Sequence, residues 1–156
     1  REVIYRRNAV AILLIDPITK KLAFTKQLRP GSYIQGEPWI YEMVAGLIDP
    51  NEDMITALKR EVKEEIGIYE VNNIELISEY YPSCGGCTEK VSLFYGEADL
   101  SNLGQWGGHP EENEVIEIKT LSIEEALEWQ SQGKIGTANG HVALFWLLKE
   151  QMRGRF

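Results

Sequence analysis

Apolar side chains recur along this chain with two different spacings, and each change of spacing marks an element. Residues 2–8 mix apolar and charged positions and predict a strand. Ala9–Ile15 is an unbroken apolar run, the pattern of a central strand, and Asp16-Pro17 closes it. The stretch ITKK predicts a turn, and KLAFTKQLRP a second strand through Leu22, Phe24 and Leu28, so the two form a hairpin. After the loop GSYIQGEPW, the run IYEMVAG predicts one short strand, and Asp49-Pro50-Asn51 a turn.

From Asp53 the period lengthens. Ile55, Leu58, Val62 and Ile66 recur at three- and four-residue steps and predict one apolar stripe on a helix that Gly67 ends. NNIELISEYYP and KVSLFYGEAD follow as strands around the small polar loop PSCGGCTE. In the second of them Val91, Leu93 and Tyr95 share one face, with Phe94 on the other. SNLGQWGGHPEENE reads as a loop and VIEIKTLS as a strand. SIEEALEWQSQGKI is a helix with a capping box, Ser122 followed three residues later by Glu125. GHVALFWLLKEQMRGRF is an apolar helix to Lys149, with Val142, Phe145, Trp146 and Leu148 expected against the sheet. Strands, one helix, more strands and then two helices predict an α+β fold, an α/β/α sandwich with a mixed β-sheet between helices, in one domain spanning residues 1–156.

Charge narrows the partners. The 156 residues carry 24 acidic and 16 basic side chains, a formal charge of −8, which disfavours nucleic acid and an anionic membrane surface. No apolar run reaches membrane-spanning length and no signal-peptide pattern is present, although the chain starts at Arg1 and residues upstream of it are left open. Cys84 and Cys87, in CGGC, are the only cysteines and read as reduced thiols of a cytoplasmic protein.

Residues 46–68, GLIDPNEDMITALKREVKEEIGI, concentrate the chemistry. Glu61 and Glu65 share a helix face, with Glu64 beside them, near a C-terminus whose dipole disfavours negative charge. A cation removes that conflict, and carboxylate oxygens suit hard Mg2+, or Mn2+, better than Zn2+. Ala45 and Gly46 let backbone approach a ligand, so the Ala45 carbonyl is a candidate ligand too. Arg29, before Pro30-Gly31, sits where a guanidinium reaches phosphate. Tyr33 and Trp39 are candidate base-stacking aromatics, Trp39 reading more as core or subunit interface. Glu42 is either on an exposed edge or in need of water, a metal or a donor. Trp106 is a lid, a base stack or a loop anchor, and Glu111, Glu112 and Glu114 form a second acidic cluster.

Gly46, Glu52, Arg60, Glu61, Val62, Glu64, Glu65, Gly67 and Ile68 reproduce the Nudix box, and on these residues the chain resembles the Nudix hydrolases. EPWIYEMVAGLID, YYPSCGGCTE, PEENEVIEI and GKI before an apolar helix resemble the ADP-ribose pyrophosphatase branch, from about Arg1 to Lys149. The resemblance implies Mg2+-dependent hydrolysis of ADP-ribose to AMP and ribose 5-phosphate. It implies Glu61, Glu65, Glu114 and the Ala45 carbonyl as metal ligands, Glu112 as the general base, Glu64 as a further catalytic carboxylate, and Glu52 and Arg60 as supports. Arg29 and Arg6 match substrate arginines, with Tyr33, Glu42 and Trp106 as further substrate-site candidates. Ser83-Cys84-Gly85 departs from the branch's Ser-Pro-Gly, and Trp106-Gly107-Gly108 resembles hydrolases of UDP-glucose or GDP-mannose. Those nucleoside-diphosphate sugars, and a catalytically silent nucleotide-binding module, are the alternatives. Relatives often carry extra N-terminal strands exchanged between subunits, which implies a homodimer and an incomplete N-terminal segment here.

Overall fold

The computed structural model describes residues 2–109 and 115–156. In chain order the elements are β1 (Ala9–Ile15), β2 (Leu22–Leu28), α1 (Pro30–Tyr33), β3 (Trp39–Glu42), β4 (Val44–Leu47), α2 (Met54–Ile66), β5 (Asn72–Tyr80), β6 (Val91–Glu97), β7 (Trp106–Gly107), β8 (Ile116–Leu121), α3 (Ile123–Ser131) and α4 (Ala138–Met152). Among the described residues the strands form one sheet in the order β5-β6-β1-β2-β8-β7, with β3 on β2 and β4 on β1. The β1–β6 pair is parallel and the other pairs are antiparallel, so the sheet is mixed, with helices on both faces.

β1 is buried at every position, as an uninterrupted apolar strand must be when both faces are covered. Ala9, Ala11, Leu13 and Ile15 point to one side, where Leu93 and Tyr95 of β6 meet Ala143, Leu144 and Leu147 of α4. Val10, Ile12 and Leu14 point to the other, against Leu58, Val62 and Ile66 of α2 and Phe94 of β6. Period-two alternation in β1 and β6 thus divides the molecule into two cores.

The hairpin of β1 and β2 is real but splayed. The two strands pair at Ile15↔Leu22, and the chain of β3 and β4 fills the widening gap, β3 on β2 and β4 on β1. The expected single strand IYEMVAG therefore breaks at Met43, which is buried where the chain passes from one partner to the other. Buried Asp16 holds the closed end: its Oδ1 accepts from the Ile18 and Thr19 N–H groups at 2.8 and 2.9 Å, and its Oδ2 from Leu100 N–H at 3.1 Å. Burial opposes its charge, but the Thr19, Leu100 and Ile18 hydrogen bonds outweigh burial and hold its pKa below the usual aspartate value.

Several expectations are corrected. Residues 2–8 form no strand, only a bridge from Ile4 to Cys87, because Val3, Ile4 and Tyr5 face solvent with no apolar layer to cover. Ile55 lies outside the α2 stripe, which Ala57 completes instead. α4 buries Ala143, Leu144 and Leu147, whereas Phe145 is exposed and Leu148 partly so. A helix apolar on all sides carries no periodic cue to its inner face. Residues 30–33 form a short helical turn inside the expected loop, and residues 106–107 form a two-residue strand inside another. Half-exposed Trp39 does not belong to the core. The Ser122/Glu125 capping box is present as expected. Among the described residues, no helix is long and apolar enough to cross a membrane.

Candidate active site

The site is built on α2 and the loop that leads into it. Asp53 caps the helix, accepting from the Ile55 and Thr56 N–H groups at 3.0 and 3.1 Å. Gly67 ends it with φ of 73°, a conformation that costs glycine nothing. Between these ends, Arg60, Glu61 and Glu64 project from the face beside β4, and Glu65 is buried.

Arg60 ties this surface together. Its Nε and Nη2 fork onto the two oxygens of Glu52, each at 3.0 Å, and Nη2 also donates to the Leu47 carbonyl at 3.0 Å. Nη1 donates to Glu61 Oε1 at 2.7 Å and Glu64 Oε2 at 3.0 Å. The Glu52 bonds, with those of Glu61 and Glu64, outweigh burial and raise the arginine's pKa above its ordinary value. In return Arg60, with the Asp49 N–H, lowers the pKa of Glu52. One guanidinium facing three carboxylates, with Glu65 nearby, leaves the surface strongly negative.

Glycines permit two close approaches. A Cβ on Gly46 of β4 would lie 2.0 Å from the Glu61 carboxylate, so only a residue without a side chain leaves that cradle open. A Cβ on Gly107 of β7 would lie 2.0 Å from the Glu65 backbone carbonyl, which also accepts from Gly108 N–H at 3.2 Å. Glu65 is 3% exposed, and its Oε1 accepts from Gln27 Nε2 of β2 at 3.4 Å. Arg29, just beyond β2, pairs with Glu42 of β3. Glu42 is buried, so the donor reading holds and the exposed-edge reading does not.

These groups open onto one cleft of about 540 Å3. It gathers Arg6, Arg29, Glu42, Ala45, Arg60, Glu61, Glu64 and Glu65 from positions spread over sixty residues of sequence. Glu52 lies behind Arg60 rather than on the wall. Tyr33 and Trp106 are exposed and outside the lining. Glu112 and Glu114 lie outside the described residues. Sequence reasoning missed Arg7, Tyr80, Glu89, His109, the α4 cap Thr137 and Asn139 of α4 on the cleft wall, and Gln27, which reaches Glu65 from β2 behind it. Only Gln27 carried a usable signal, since strand alternation places it on the same side as Arg29. Burial, with Glu89 nearby, pushes the Tyr80 hydroxyl up to about 12, so it remains a donor at neutral pH.

An all-oxygen donor set of Glu61, Glu64, Glu65 and the Ala45 carbonyl fits a hard divalent cation, as does the open cradle at Gly46. Among the described residues no three His, Cys, Asp or Glu side chains are gathered as a finished ligand set. Arg60 instead engages Glu61 and Glu64, supplying part of the positive charge that the cluster calls for.

Comparison with known proteins agrees with this construction. The chain is 34% identical over 148 residues to the ADP-ribose pyrophosphatase of Escherichia coli (strain K12), covering 94% of this chain and 70% of the relative. It is 32% identical over 151 residues to the ADP-ribose pyrophosphatase of Haemophilus influenzae, covering 94% and 69%. It is 36% identical over 156 residues to the GDP-mannose pyrophosphatase of Cronobacter sakazakii, covering 99% and 78%. Residues 5–139 match the NUDIX domain, a family whose chemistry depends on a divalent metal, and the chain belongs to that family.

Proposed function

We propose that this chain hydrolyses the pyrophosphate link of a nucleoside-diphosphate sugar, ADP-ribose first, giving AMP and ribose 5-phosphate. The observation that carries this reading is the cleft itself, where clustered carboxylates face Arg6 and Arg29. A diphosphate needs both charges: arginines to hold its oxygens, and an acidic surface able to hold the cation that offsets its charge. In this reading Glu61, Glu65, Glu114 and the Ala45 carbonyl hold Mg2+, with Mn2+ as a substitute. When bound, the ion neutralises charge on the diphosphate and favours ionisation of water.

The chain's own residues do the rest. Glu112 takes the proton from the attacking water, and Glu64 assists at the same surface. Arg29, held by Glu42, and Arg6, 3.6 Å from Glu89, orient the phosphates. Arg60 and Glu52 restrain Glu61 and Glu64 against free rotation. A second substrate, GDP-mannose, is favoured by the GDP-mannose pyrophosphatases among the relatives.

The test is a panel of ADP-ribose, GDP-mannose, UDP-glucose and deoxynucleoside triphosphates with purified protein and Mg2+, the products being identified by chromatography. ADP-ribose is expected to give AMP and ribose 5-phosphate with the highest kcat/KM. Highest kcat/KM on GDP-mannose would move the chain to that substrate. Turnover of triphosphates alone, or of nothing, would end the nucleotide-sugar reading.

A further inference from the structure

β2 presents an unusual row of polar side chains for a strand in the middle of a sheet. Thr25 and Gln27 are 0% and 4% exposed, and the extended backbone carries the same side on to Arg29. Each engages something that belongs to the site. The Thr25 hydroxyl donates to the Glu42 carbonyl at 3.4 Å, Arg29 pairs with the Glu42 carboxylate, and Gln27 donates to Glu65. A buried primary amide has a donor end and an acceptor end, and β2 turns the donor end toward a carboxylate. An apolar residue there would fill the same space without desolvating an amide, so packing alone does not call for glutamine.

From this contact we infer that Gln27 is a positioning residue for Glu65: its amide, buried in β2, fixes the rotation of the Glu65 carboxylate. The inference rests on the reading of Glu65 as a cation ligand. α2 sets where the Glu65 side chain starts, and β2 sets where its carboxylate plane ends. Gln27 touches neither substrate nor cation. It acts by keeping the Glu65 carboxylate correctly turned before a cation arrives, so that less ordering is required on binding.

The test uses metal-free full-length protein and two variants, Gln27→Met, which keeps the volume and removes the amide, and Gln27→Asn, which keeps the amide and shortens its reach. Mn2+ affinity is measured by the loss of the free-ion electron paramagnetic resonance signal, and folding by thermal melting without metal. Both variants are expected to weaken the Mn2+ dissociation constant by about 10–100-fold, the range for residues that orient metal ligands. In a Glu65→Gln background, Gln27→Met is expected to have no further effect on Mn2+ affinity, because the group it positions is gone. With ADP-ribose, kcat falls and KM stays near the parent value.

A purely structural Gln27 would lower the melting temperature and leave the dissociation constant within about twofold, and that result overturns the inference. If Gln27→Met does not fold, the same comparison is made on Gln27→Asn. Parent protein that binds Mn2+ but hydrolyses no nucleotide sugar would end the substrate reading and leave this inference standing. Parent protein that binds no Mn2+ would overturn both the ligand assignment and the role of Gln27.

Discussion

Arg60 makes five hydrogen-bond contacts with one planar group, and its fork onto Glu52 is a geometry that an ammonium does not reproduce. Arg60→Lys keeps the charge and loses the fork. Its kcat is expected to fall roughly 10–100-fold, as for other residues that orient metal ligands, while circular dichroism shows a folded protein. Asp16 gives a separate test, away from the cleft. Asp16→Asn retains the size but weakens three hydrogen bonds to a buried carboxylate, at an expected cost of about 1–3 kcal/mol in urea unfolding at pH 7. Because the folded-state pKa of Asp16 is lowered, its contribution is complete above the ordinary aspartate pKa and fades as pH falls through the folded value. The gap between parent and variant should therefore narrow in acid; a gap that widened there would contradict the assignment. At this scale the acidic cluster and Arg60 were legible from spacing on one helix. Glu42 was not, because nothing local distinguishes a strand glutamate facing solvent from one that meets Arg29 across a neighbouring strand.

Elements decide which of these side chains meet. β4 reaches α2 so closely at Gly46 that Gly46→Ala must push the Glu61 carboxylate aside. That obstacle is the far end of a flexible side chain, so stability should change by less than about 1 kcal/mol, whereas kcat should fall by at least about tenfold. Gly107→Ala differs in kind, since its Cβ meets the Glu65 backbone carbonyl. A backbone shift there is expected to lower unfolding free energy by about 1–3 kcal/mol, with activity lost alongside. Equal effects of the two changes on stability would contradict the distinction. β1, β6 and α2 were readable because one face or two faces of apolar residues leave a clear period. The break at Met43 and the inner face of α4 were not, because both depend on which neighbour the chain packs against.

Over the whole molecule, the mixed sheet between helices followed from element order, while the cleft arose where an N-terminal segment, residues of β1, β3, β4, β5 and β6, α2 and the start of α4 converge. Such convergence has no signature in sequence spacing. A net charge of −8 biases the surface toward cations rather than anions, and a cation that binds only the folded state stabilises it by about 2.7 kcal/mol at a hundred times its dissociation constant. Mg2+ is accordingly expected to raise the melting temperature by several degrees, and equal concentrations of charge as Na+ to do much less. The role of Glu65 is the claim on which the rest depends. Its most direct test is the Mg2+-dependent kcat of Glu65→Gln with ADP-ribose, measured beside the parent after circular dichroism has shown both to be folded. The account predicts a loss of at least about 100-fold in kcat; a folded variant with kcat within about twofold of the parent would contradict it.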